Sequence, residues 1–279
     1  MGVRIAVAAV SFTWNFTRSI MGELKKALRP EDELIEVGLV RREDDTFLHD
    51  RFSKIIEMTP RVDAIISLTF APSPAEVKPF NAAGIPVITV DEEVLGASSV
   101  ACDNVKAGYM AGKHLLEKGR KSLGLLAGPT VPPGAHYNAV RRRQGFERAL
   151  AEAGLRLQPD RVHSCIEYSR KDGVNALTSF LASGRTVDGI FCAAGDTAAG
   201  GILATARERK LVVPADLAVV GFDDLPIAAI SDPPLTTIRQ PMARIAQEAV
   251  RLATEKAAAI VERPETILLD PVLVRRSST

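Results

Sequence analysis

No apolar run in the chain approaches the roughly 20 residues that a membrane-spanning helix requires. Charge of neither sign prevails: 35 Lys and Arg against 34 Asp and Glu leave a formal net charge of +1. The first absence argues against a spanning segment. The second leaves no strong overall field for nucleic acid, so any DNA contact would have to come from something outside these residues. Cysteine is sparse, with Cys102, Cys165 and Cys192 far apart and odd in number. That is no disulfide framework, and apolar neighbours make each a reduced, buried thiol. Catalytic signatures are missing too. The turn after the first apolar run reads SFTWNFTRS where a dinucleotide fold needs Gly-x-Gly-x-x-Gly. There is no phosphate-binding Gly-Lys-Ser/Thr loop, His-Glu-x-x-His, Cys-x-x-Cys or Gly-x-Ser-x-Gly elbow. The histidines, His49, His114, His136 and His163, are scattered. An enzyme is therefore not expected, nor a cofactor or a metal.

What is present is an ordinary globular composition, 46% hydrophobic and 25% charged over 279 residues, enough for two medium units with real cores. The opening MGVRIAVAAVSFTWN reads as a first strand rather than a secretory signal, because only Arg4 precedes its apolar bulk and no small-residue cleavage site follows. A cytoplasmic location is expected. Strands are predicted at 3–10, 62–69, 85–90, 123–127, 161–167, 188–193 and 217–222. Helical patterns fall near 16–28, 46–58, 74–83, 104–118, 137–153, 172–183, 197–209 and 241–261. Such alternation predicts an α/β chain of parallel sheets covered on both faces. Two strand–helix series are separated near residue 103. The run Asp232-Pro233-Pro234-Leu235-Thr236-Thr237-Ile238 then favours an extended crossing strand, since prolines cannot continue a helix.

In open parallel sheets ligands bind beyond the carboxyl ends of the strands, and polar and aromatic residues collect there. Ser11, Phe12, Thr13, Trp14 and Asn15 follow the first strand. Asp91 ends the run 85–90, Tyr168 ends 162–167, Asp196 follows 191–195, and Asp223 and Asp224 follow Phe222. Carboxylates and guanidinium groups bond hydroxyls directionally, while a flat ring covers C–H surface, a mixture suited to a sugar or nucleobase. The alternative for each Asp is a helix cap. Asp223 and Asp224 should point different ways, which makes them a poor catalytic dyad. In the triplet Arg141-Arg142-Arg143, helix phase puts Arg142 in register with Phe146, Ala149 and Ala153, so it points inward. Arg141 and Arg143 should be solvated. A buried Arg needs an anionic or hydroxyl-rich partner, and a structural ion pair is the alternative.

The stretches VDAII, GIPVITVD, CDNVKAGYMAGKHLLEKG, RRQGFERALAEAG and DGIFCAAGDTAAGGILATARERKLVVPADLAVVGFDDLPIAAISDPPLTTIRQP resemble the lactose-repressor (LacI/GalR) family, as does the tail LDPVLVRRSS. The GFDD…DPPLTTIRQP block looks more like the regulators than the transport-type sugar receptors of the same fold, which are the alternative reading. The resemblance implies a periplasmic-binding-protein-like type I fold: two doubly wound parallel-sheet lobes, three crossings and a ligand cleft. The expected lobes are 1–102 plus 240–265 and 103–239 plus 266–279. It implies a transcriptional regulator that couples a small-molecule effector (sugar, polyol or purine) to DNA by lobe rotation. It also implies a homodimer, and operator contact only through a helix-turn-helix headpiece not among these residues. On the family pattern Arg142 contacts the effector, Tyr168 stacks on it, Asp223 accepts its hydrogen bonds, and Asp91 is the strand-end acid of the other lobe. Trp14 and Phe16 close one side. Asp196 completes the expected ligand-binding set, although Gly195 replaces a frequent asparagine before it. Asn15 and Arg120 also depart from the pattern.

Overall fold

The computed structural model describes residues 2–39, 46–58, 62–128, 137–165, 167–182, 187–258 and 263–279. Two units divide the chain, Met1–Cys102 with Pro241–Leu269, and Asp103–Gln240 with Asp270–Thr279, so it passes from one to the other three times.

In chain order, the first pass contributes β1 (Arg4–Ala9), α1 (Asn15–Ala27), β2 (Glu33–Gly38), α2 (Thr46–Ser53), α3 (Ile55–Met58), β3 (Ala64–Leu68), α4 (Pro74–Ala82), β4 (Val87–Val90) and β5 (Ser98–Cys102). Next come α5 (Asn104–Glu117), β6 (Leu123–Ala127), α6 (Tyr137–Glu152), β7 (Val162–Ser164), α7 (Arg170–Ala182), β8 (Gly189–Cys192), α8 (Asp196–Glu208), β9 (Ala218–Asp223), α9 (Pro226–Ile230) and β10 (Thr236–Arg239). The chain then forms α10 (Met242–Ala258), β11 (Thr266–Leu269) and β12 (Val272–Val274).

The first sheet runs β11-β5-β4-β3-β1-β2 and the second β12-β10-β9-β8-β6-β7. Every pairing is parallel except β12 against β10. The central strands are apolar on both faces because helices cover both. Ile5, Val7 and Ala9 of β1 pack with Ile20 and Leu24 of α1 and with Ile245 and Ala249 of α10. Ala6 and Ala8, alternating to the opposite face, join Phe52 and Phe80. In the second unit Leu125, Phe191, Val220 and Phe222 meet Ala107, Leu115 and Phe146 on α5 and α6. Leu126, Ile190 and Val219 meet Leu177, Phe180 and Ile202 on α7 and α8.

Three departures from the sequence reading have physical causes. β2 (ELIEVG) was not expected: it is an edge strand whose glutamates are exposed, so no continuous apolar run marks it. β5 (SSVAC) is wholly buried yet built from small residues that carry little strand preference. Residues 266–269, expected in the second lobe, pair instead with β5 in the first sheet, from Thr266 against Ser99 to Leu269 against Cys102. The third passage therefore falls at Asp270.

Two helix pairs in the second unit close on reciprocal glycines. A Cβ on Gly108 would overlap the Arg142 carbonyl, and one on Gly145 would overlap that of Val105, so α5 and α6 touch backbone to backbone. Gly173 and Gly201 do the same for α7 and α8, against Ala198 and Arg170. Gly145→Ala is expected to cost about 1–3 kcal/mol by overpacking. Gly200→Ala, on α8 where a Cβ meets open space, should instead gain about 0.5–1 kcal/mol from backbone entropy. Urea denaturation of the pair checks the sign; a G145A protein as stable as G200A would contradict the packing.

Candidate functional site

Strand ends in both units carry backbone that L-residues rarely adopt. The positive-φ non-glycine residues are Thr69 (56°), Asp91 (64°), Tyr168 (55°), Asp223 (98°), Asp224 (58°) and Lys210 (59°). Thr69, Asp91, Asp223 and Asp224 lie at the end of a strand or within one residue of it, while Tyr168 stands four residues after β7. Such conformations cost on the order of 1–3 kcal/mol each and persist where the surroundings dictate them, as they do at binding sites.

In the second unit the paired acids diverge as expected. Asp223 Oδ1 accepts from Gln240 Nε2 at 2.7 Å. Asp224 instead clamps the chain end of the unit, receiving Arg239 Nε and Arg276 Nη2, each at 2.7 Å. Asp223 fits where it does because its neighbour across the edge is Gly195, itself at φ 102°; a Cβ there would stand 2.9 Å from Asp223 Oδ2. Gln240 holds Asp223 from the end of β10, is 3% exposed, and keeps a buried Oε1 with no hydrogen-bond partner. Sequence reasoning did not single it out, because neither its burial nor its unpartnered oxygen shows in the residue type.

Arg142 lies on the inward face of α6 beside Ala139, Phe146 and Ala149, and only 6% of it is exposed. Its Nε donates to Asn104 Oδ1 at 2.7 Å and its Nη1 to the Ala193 carbonyl at 2.8 Å. The guanidinium carbon sits 3.6 Å from the centroid of the Phe222 ring, a cation–π contact. Phe222 directly precedes Asp223 in β9, so the residue under the cation and the strand-end acid are neighbours in the chain. The flanking arginines behave differently: Arg143 pairs with Glu147 at 2.8 Å, and Arg141 is half-buried over the Tyr137 ring rather than fully solvated. Tyr168 is half-buried, and its hydroxyl fills the space a Cβ on Gly128 would take, next to Ala139 one turn before Arg142. The ring also packs against the core formed with Leu177 and Ala176.

Asp196 requires a correction. Expected to meet ligand, it is 0% exposed, at the first turn of α8. Its Oδ2 accepts the Leu225 amide at 2.7 Å and its Oδ1 the Thr237 hydroxyl at 2.6 Å. Burial foremost, then the nearby charge of Asp223, pushes its carboxyl well above the ordinary range. Both oxygens of Asp196 are thus engaged within the protein, bracing the turn after Asp223.

In the first unit, Trp14 is the half-buried N-cap of α1 and makes no side-chain cap. Phe16, also half-buried, packs on the core beneath. Asp91 is buried just past β4. Between β1 and β4 in the sheet lies β3, followed directly by Thr69, a polar residue just past the strand that sequence reasoning did not single out. Trp14 and Phe16 on one side and Asp91 on the other thus flank Thr69 along the same sheet edge.

All three cysteines are free and buried; burial raises the Cys165 thiol to about 12 and Cys192 well above its ordinary value. Burial lowers His114 and His163, His49 pairs with Glu76 at 2.7 Å, and His136 is outside the described residues. Among the described residues no group of three or more His, Cys, Asp or Glu could hold a metal ion, and no helix is long and apolar enough to cross a membrane.

Residues 113–279 match the family model for the periplasmic binding protein-like domain. The chain belongs to that family, as a LacI/GalR-type core. It is 39% identical over 202 residues to the HTH-type transcriptional regulator in the aml 5' region of Streptomyces limosus, covering 70% of this chain and 55% of that protein. Identity to the HTH-type transcriptional repressor CytR of Escherichia coli K12 is 33% over 181 residues, 65% of this chain and 51% of the repressor. The chain thus spans about half the length of the curated relatives it matches. The solved transcriptional regulator CelR–cellobiose complex superposes with a TM-score of 0.85 at 26% identity, over 100% of this chain and 86% of that one. A LacI family transcriptional regulator from Enterococcus faecium with bound ribose has a TM-score of 0.84 at 22% identity, over 99% and 98%, and shows the same fold.

Proposed function

We propose that this chain is the effector-sensing part of a LacI-type transcriptional regulator and takes a sugar or a similarly small, hydroxyl-rich metabolite. The observation that carries the reading is the assembly at the end of β9, where buried Arg142 lies over Phe222 beside Asp223. A fixed cation, a carboxylate and an acceptor oxygen on Gln240 together suit a guest with several hydroxyls, each able to donate and accept. Trp14, Phe16 and Asp91 are proposed as ligand contacts along the first unit's own strand-end edge, and Tyr168 along that of the second, near α6. Cellobiose and ribose in the two solved relatives support the sugar class. Sensing requires that the guest bind two conformations of the protein with different affinity, so that occupancy changes DNA binding. On this reading the protein works in the cytoplasm as a homodimer. It is not an enzyme, and it contacts its operator through a helix-turn-helix segment outside these residues, as the HTH-type relatives suggest.

The test is a thermal-shift panel of pentoses, hexoses, disaccharides, polyols and nucleobases, followed by titration of Trp14 fluorescence. A true effector at one hundred times its dissociation constant should add about 2.7 kcal/mol, a rise of several degrees in Tm. A panel in which nucleobases shift Tm and no polyhydroxylated compound does would overturn the sugar assignment.

A further inference from the structure

We propose that Asn104 and Gly108, one turn apart on α5, are positioning residues that set Arg142 before any ligand arrives; the inference rests on the reading of Arg142 as an effector contact. Residues four apart on a helix share one face, and here that face grips a single residue of α6 at both ends. Asn104 Oδ1 takes the Arg142 Nε–H at 2.7 Å, while Gly108 lies against the Arg142 carbonyl so closely that a Cβ would overlap it. A Cβ there would also stand 3.0 Å from the Phe146 amide.

The division of labour at the start of α5 supports this. Asp103 caps the helix, its carboxylate accepting the Lys106 amide at 2.9 Å. Asn104, the next residue and only 3% exposed, is turned inward to the arginine instead. The reciprocal glycine, Gly145 against the Val105 carbonyl, fixes the separation of the two helices from the other side. With its main chain seated on Gly108 and its Nε held by Asn104, Arg142 has few rotamers left. The Ala193 carbonyl and the Phe222 face then define where the guanidinium plane lies. An arginine side chain is rich in rotamers when loose, so holding it in advance removes an ordering cost from binding. Asn104 also stands just past the first passage between units, at Cys102–Asp103, which places the anchor of the cation where the chain enters the second unit.

The experiment follows Arg142 itself in the complete chain without ligand. Solvent exchange of its Nε–H is read by NMR, and its modification by phenylglyoxal is read by mass spectrometry. Asn104→Ala is expected to speed both by about tenfold, the size of one hydrogen bond to a charged group. Asn104→Asp keeps an acceptor oxygen and should return both rates to near the original. Gly201→Ala strains the α7–α8 contact, remote from Asn104, and serves as the control: it should lower Tm while leaving Arg142 rates unchanged. Gly108→Ala should raise the Arg142 rates beyond those of the G201A protein.

Rates in N104A equal to those of the unaltered protein, or an equal rise in G201A, overturn the proposal. D-ribose and cellobiose serve as binding probes alongside. Where either binds, N104A should weaken it about tenfold and Arg142→Ala further. Full affinity in R142A would sink the functional reading. Lost affinity in R142A with none lost in N104A would sink only the positioning role.

Discussion

Asp196→Ala is expected to lower the stability of the protein by about 3 kcal/mol or more, whereas Asp196→Asn should stay within about 1 kcal/mol of the parent. The carboxylate is fully enclosed and satisfies two donors from different elements, the Leu225 amide ahead of α9 and the Thr237 hydroxyl on β10. Alanine strands both, and each buried unpaired donor costs about 1–3 kcal/mol. An asparagine side chain keeps the geometry: its oxygen accepts from Leu225, and its amide donates to a rotated Thr237 hydroxyl. The same substitution should change the pH dependence. The folded carboxyl titrates above the ordinary carboxylate range through burial and then through Asp223, while the unfolded one does not. The folded state therefore binds the proton more tightly, and stability contributed by the acid is lost as pH rises from the ordinary carboxylate range through the folded value. Urea melts across that range should show D196N gaining on the parent as pH increases. A D196A protein as stable as D196N would contradict the bracing role.

Asp196 also shows where sequence reasoning stops. Its place after a strand made it look like a ligand contact, because strand-end position says which edge a residue reaches and not which way it turns. The deciding feature is Gly221 within β9, which leaves room for the carboxylate; a Cβ there would overlap Asp196 Oδ1. An interior strand glycine often marks such a close approach, and VVGFDD carries that mark in plain view. Arg142 was legible for the opposite reason, since helix phase is a periodic property and six inward positions on α6 agree with it. The divergence of Asp223 and Asp224 was legible as well, adjacent residues being unable to share one direction. β2 and β5 were not, one being an edge strand broken up by exposed glutamates and the other made of small residues. The placement of residues 266–269 escaped because a short strand pairs with whichever edge is open, and nothing local to TILL names β5 as that edge. Thr69 and Gln240 escaped because their significance lies in a backbone angle and in an unpartnered oxygen, neither of which a residue type displays.

Arg142→Ala should abolish effector binding in practical terms, weakening it by a hundredfold or more, which corresponds to about 2.7 kcal/mol or above. The magnitude follows from burial: a charge-assisted contact in a dry, preorganised setting is worth more than one at an exposed rim. Lysine is the sharper comparison. It keeps the charge, but it has no Nε–H for Asn104, no planar face for Phe222 and no fork of donors fixed in one plane. Arg142→Lys should therefore bind far more weakly than the parent and only modestly better than alanine. Folding should suffer less than binding. The substitution to alanine leaves two acceptors, Asn104 Oδ1 and the Ala193 carbonyl, without this donor, a loss of about 1–3 kcal/mol set against the removal of a buried charge. Calorimetric titration with any compound that raises Tm, run beside urea denaturation of the same variants, separates the two effects. An arginine that only holds the fold together would show the reverse order, with stability falling in R142A and R142K while the affinity of the surviving folded protein stayed near that of the parent. The contact with Phe222 predicts that affinity falls first, because it holds the cation one residue short of the end of β9, where the strand-end edge begins.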